Sequence, residues 1–235
     1  MDTQDGFIVG IFNYCDRWCE RCPLTARCRV FAEIAQEDFE REHGPMPASA
    51  QEPEFRSLGV MALQASPGGE DNGLVDLDGT RGWEPPRLAP DAQALEGRVK
   101  ALGFRLAAWQ PPDGTTMDEG ISEALEVLGH YGIFIGAKVH RALFGLSLAD
   151  DGDDALSDAN GSAKAALLAF DRLGDAWLKL VERGAVSVAA AEPTLSELAW
   201  MTGEVERRFP QAREFVRPGL DEPIAVAMLE WQERG

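Results

Sequence analysis

All four cysteines of this 235-residue chain fall within residues 15–28, CDRWCERCPLTARC, separated by three, two and five residues. Four thiols on so short a stretch restrict its folding more than any other feature, because the backbone must either turn around a shared centre or crowd four reactive groups on one surface. The short arm between Cys19 and Cys22 wraps one side of such a centre, and the longer arms let Cys15 and Cys28 approach from other directions. The expectation is four sulfurs facing one point. Arg17, Arg21, Arg27 and Arg29 flank them, and their charge favours deprotonated sulfur. Apolar spacing from Cys28 through Phe31, Ala32, Ala35 and Phe39 places the fourth cysteine at a helix start, whose dipole acts in the same sense.

The stretch CERCPLTARCRVFA resembles the cluster-binding segment of WhiB-like iron–sulfur proteins, where C-x2-C-P is followed after five residues by another cysteine and then an apolar helix. The match covers Cys19, Cys22, Pro23 and Cys28. In that family the first ligand lies far upstream, whereas here it would be Cys15, and the family's Gly/Trp turn and basic DNA-binding tail are missing. The resemblance therefore implies a ligand set and no role in transcription. A [4Fe–4S] cluster held by Cys15, Cys19, Cys22 and Cys28, in a redox or structural role with a protein redox or assembly partner, is the first expectation. A structural zinc that staples the segment to the remaining chain, as part of an interaction module, is the alternative, and disulfides or free thiols come last. The C-x3-C-x2-C spacing of the first three cysteines is also that of radical-SAM enzymes, but the chain that follows has no β/α-barrel pattern.

Charge narrows the partners. Forty acidic against 22 basic residues give a net charge of −18, which opposes sequence-independent attraction to nucleic acid or anionic lipid. No apolar run approaches the roughly 20 residues that span a bilayer, and MDTQDGFIVG lacks the basic and apolar regions of a secretory signal. A soluble, cytoplasmic protein is expected, and in a reducing compartment clustered thiols are read as metal ligands before disulfides.

The apolar period beyond the cysteines is helical, and the expected fold is all-α: an antiparallel helical bundle with an N-terminal four-cysteine metal-binding segment and a long irregular linker. Three regions follow: residues 1–44 with the cysteines and a first helix, an acidic Pro/Gly-rich linker at 45–90, and the bundle at 91–235. Residues 6–14 read as an irregular cover over the cysteine loop. Within the linker, VMALQ and GLVDLDG read as local packing and Trp83 as an anchor. Bundle helices are expected at 91–110, 117 to about 146, from near Gly161 to a glycine stop at Gly184, from Pro193 or Thr194 to about 209, and at 224–232.

A second polar constellation lies in the bundle. Glu126 and His130 share one face of an apolar helix, and Asp171 sits among Leu167, Leu168 and Leu178, so a ferritin-like metal site is one reading. The competing reading is an interhelical ion-pair network, in which Asp171 meets Lys138 or Arg141 and supports stability. The acidic DDGDDALSD lacks the glycine and terminal glutamate of a calcium loop. With no nucleophile elbow, phosphate-binding glycine loop or histidine triad, the balance leans away from an enzyme.

Overall fold

The computed structural model describes residues 3–44, 87–148 and 153–221. The chain divides into two units, one formed by Met1–Arg29 with Pro86–Gly235 and the other by Val30–Pro85. The linker expectation at 45–90 falls almost wholly outside the described residues, as do VMALQ, GLVDLDG, Trp83 and the terminal helix at 224–232.

The described chain is mostly helical, so the all-α expectation holds at that level. A two-residue antiparallel hairpin, β1 (Thr3–Gln4) and β2 (Phe7–Ile8), opens it. One helical turn, α1 (Ile11–Tyr14), follows, then two 3-10 turns at Cys19–Arg21 and Thr25–Arg27. The expected cover at 6–14 is thus more regular than anticipated. The second unit contributes α2 (Arg29–His43), which buries none of its own side chains; it carries an Arg41–Asp38 ion pair and a His43 ring stacked on Phe39.

Four long helices complete the first unit: α3 (Pro90–Ala107), α4 (Glu119–Ser147), α5 (Asp153–Glu182) and α6 (Val188–Arg208). Their neighbours run antiparallel, as paired positions show. Glu96 meets His140 and Gly103 meets Gly132 between α3 and α4; Glu123 meets Lys179 and Arg141 meets Asp158 between α4 and α5; Asp91 meets Arg208 and Arg105 meets Glu197 between α3 and α6. On α4 the buried residues Ile121, Ala124, Leu128, Tyr131, Ile135, Val139 and Ala142 recur every three or four positions, which puts them on one stripe. That stripe packs on Ala163, Ala166, Leu167, Phe170, Leu173 and Leu180 of α5 in one continuous core. No helix among the described residues is long and apolar enough to cross a membrane.

Local chemistry explains the helix ends. The Asp118 carboxylate accepts from the Ile121 N–H at 2.8 Å and opens α4. Gly184, at φ 72°, turns the chain after α5 while the Ala185 N–H bonds back to the Leu180 carbonyl, the expected glycine stop. Two starts differ from expectation. Helix α5 begins at Asp153 rather than near Gly161, because acidic residues suit a helix N-terminus and Asp158 is held by Arg141. Helix α6 begins at Val188 rather than at Pro193, because Ser187 caps it through the Ala190 N–H and the proline is accommodated on the exposed side.

A candidate four-thiol metal centre

The N-terminal hairpin, α1 and the two 3-10 turns enclose a small core of their own. Ile8, Ile11 and Leu24 are buried in it, and Cys22, Cys28 and Leu220 pack against it. All four cysteines are free and half-buried, so no disulfide joins them. They lie close enough to influence one another's ionisation. Burial pushes the Cys19 thiol up first, and charge on Cys15, Cys22 or Cys28 pushes it further. Burial likewise raises Cys15 and Cys22, opposed in each by a backbone N–H two residues on, that of Arg17 for Cys15 and that of Leu24 for Cys22. Each added thiolate makes the next harder to form unless a cation enters. The thiols share one lobe, yet among the described residues no group of three or more His, Cys, Asp or Glu side chains is placed to hold a metal ion.

The flanking cations do not behave as the sequence suggests. Arg21 pairs with Glu126 and lies over the Trp18 ring, Arg29 pairs with Asp5 at 2.9 Å, and Arg27 donates to the Gly6 carbonyl at 3.4 Å. The cation whose charge lowers the Cys15 pKa is instead Lys138 of α4. Its ammonium donates to the Asn13 carbonyl at 2.6 Å, just before Cys15, and its side chain is almost fully buried.

Asp16 seats the cysteine segment on the bundle. Its carboxylate accepts from the Tyr131 hydroxyl at 2.6 Å, pairs with Arg172 of α5, and receives the Trp18 N–H at 3.2 Å. Its carbonyl lies 2.8 Å from Nε2 of His130. Trp18 then stacks on the His130 ring with centroids 4.5 Å apart and meets Tyr131 edge-on at 5.6 Å. Below it, the Tyr14 ring packs edge-on against Phe215 at 4.9 Å, and both occupy the space that a side chain at position 161 would need.

The second constellation disperses. Glu126 is solvent-exposed and pairs with Arg21, His130 supports the cysteine segment through Asp16 and Trp18, and Asp171 pairs with Arg213 at 2.6 Å beyond the end of α6. Each of the three has its own partner, and the partners expected for Asp171, Lys138 and Arg141, are engaged with Asn13 and Asp158. Leucines surround Asp171 in sequence, yet its side chain is 45% exposed. Sequence reasoning missed Asp16, Tyr131 and Arg172, and gave Lys138 a partner on α5 where it meets the Asn13 carbonyl. Lys138 falls on the buried stripe of α4, three residues after Ile135 and four before Ala142.

No protein-family model matches this chain, and no curated protein or solved structure matches it either.

Proposed function

We propose that Cys15, Cys19, Cys22 and Cys28 bind a metal centre, a [4Fe–4S] cluster in a redox or structural role ahead of a zinc. The observation that carries this reading is four free thiols in one lobe, where the backbone at Arg17 and Leu24 offsets part of the rise that burial imposes on Cys15 and Cys22. Backbone N–H groups aimed at sulfur stabilise the thiolate, the form that ligates metal, and they tune the potential of an iron–sulfur centre. The likeness of residues 19–28 to the WhiB-like cluster-binding segment points to the same ligand set. Binding would gather the sulfurs, and the loops that carry them are short 3-10 turns with few buried side chains to hold them in place. A cluster supplies one-electron chemistry, and a protein redox or assembly partner would then exchange with it.

Zinc is the second reading, favoured by how little else holds the lobe together. Three buried side chains make a small core, and a structural metal is a common remedy in so small a unit. Asp16, His130 and Tyr131 in both readings keep the segment seated on the bundle. No catalytic group is assigned.

Purification without oxygen, followed by iron, sulfide and zinc analysis, tests the reading. Brown protein with iron and sulfide in equal amounts, lost in the variant with all four cysteines changed to serine, supports the cluster. Colourless protein with stoichiometric zinc selects the alternative, and protein that takes up neither metal after reconstitution overturns both.

A further inference from the structure

We propose that the groove between α3 and α4 is a binding site for a small apolar carboxylate, an acid with a short hydrocarbon tail. The groove measures about 260 Å³ and is lined by residues of these two helices alone. Phe104 of α3 and Ile133 of α4 form its apolar part, and both large side chains are left exposed, at 63% and 64%. Gly132, Gly136 and Ala137 add at most a methyl group each, which keeps the space open. At Gly136 no side chain could stand, since a Cβ there would lie 2.9 Å from Cγ of Lys100. A hydrocarbon chain laid against Phe104 and Ile133 takes their surface out of water, and that burial is the driving force for the tail.

The groove has a polar end. Lys100 lies one turn before Phe104 on α3, and His140 lies two turns after Ile133 on the antiparallel α4, so both polar residues fall at the same end. Their contacts agree: Nζ of Lys100 and Nδ1 of His140 meet the same oxygen of Glu96, the latter at 3.0 Å. One carboxylate therefore serves two nitrogen groups. An ammonium carries three N–H donors, and among the described residues Lys100 spends one of them, on Glu96. Nε2 of His140 has no partner in that set. On a chain of net charge −18, a groove whose cation has donors to spare fits an anionic head, and its apolar walls fit a tail. A water in the liquid takes up about 30 Å³, so the space suits about nine non-hydrogen atoms, close to an acid of about eight carbons.

Octanoate, 1-octanol and octylamine, titrated into the isotope-labelled full chain while the backbone amide NMR signals of residues 100–104 and 132–140 are followed, test the site. We expect octanoate to shift these signals, 1-octanol to bind about tenfold more weakly, and octylamine to leave them in place. Lys100→Met should weaken octanoate about tenfold and leave 1-octanol unchanged. Ala137→Trp, at an exposed position where the fold has room for the ring, should fill the groove and abolish binding of both. Ile133→Ser, also at an exposed position, should weaken both by removing one wall. Equal affinity of wild type for octanoate and 1-octanol overturns the carboxylate assignment. Octanoate shifts that fall elsewhere, or that persist in Ala137→Trp or at full strength in Ile133→Ser, overturn the site.

Discussion

Asp16 engages the bundle with both of its ends, the carboxylate on Tyr131 and Arg172 and the carbonyl on His130. Replacing it by alanine leaves the Tyr131 hydroxyl buried without an acceptor, a loss of about 2 kcal/mol. Chemical denaturation of Asp16→Ala against wild type should show that difference, and an unchanged midpoint would mean that the segment is seated without the Asp16 carboxylate. Asp171 offers the contrast. Its pair with Arg213 is exposed on both sides, so Asp171→Ala should lower stability by less than about 1 kcal/mol. On the proposed metal reading the metal content should not change, because the Asp171–Arg213 pair includes none of the four thiols. Metal lost from this variant without loss of fold would restore the dispersed residues of the bundle as a site.

At the scale of elements, the crossing of α3 and α4 depends on two glycines. A Cβ on Gly103 would stand 2.0 Å from the Gly132 carbonyl oxygen, so an alanine there forces the helices apart. Gly103→Ala should cost about 3 kcal/mol. Gly97, on the exposed side of the same helix with nothing within 4 Å of an added Cβ, should behave oppositely. Gly97→Ala should raise stability by about 0.5–1 kcal/mol through helix propensity alone. Thermal melts of the two single variants decide whether close approach or propensity governs each site. The same contrast bears on what could be read in advance. The start of α4 near residue 117 and the Gly184 stop were legible because each is a local pattern. Glycines that touch across a crossing look like any others in sequence. The Ser187 start was hidden behind Pro193, and the early start of α5 was hidden because its acidic residues read as a turn. The four thiols were legible as a cluster, whereas Asp16 and the true partner of Lys138 were not, since both contacts join elements more than 100 residues apart in sequence.

The whole first unit is closed by its last described residues. Phe215 meets Tyr14 and accepts Lys164 at its carbonyl, Gly219 lies against Ile8, and Leu220 completes the small core that holds Cys22 and Cys28. Asp221 locks this strap: it pairs with Lys164 at 2.8 Å and with Arg217 at 2.7 Å. Burial works to raise its pKa, but the hydrogen bonds from Arg217 and Lys164 outweigh it and hold the carboxyl well below the usual range. A carboxylate with a depressed folded-state pKa stabilises the fold above its unfolded value, and that support fades as pH falls below about 4. Asp221→Asn should therefore be about 2 kcal/mol less stable than wild type at neutral pH, with the gap narrowing in acid. Urea titrations at pH 7 and pH 3 would check it, and a gap that stays constant would remove Asp221 as the lock.

Closure by Leu220 also sets a clock on synthesis. At 5–20 residues per second, on the order of 10–40 s separate the emergence of Cys28 from that of the residue that shelters it. During that interval the nascent thiols are ahead of their own roof, within reach of oxidants and of any metal-delivery factor alike.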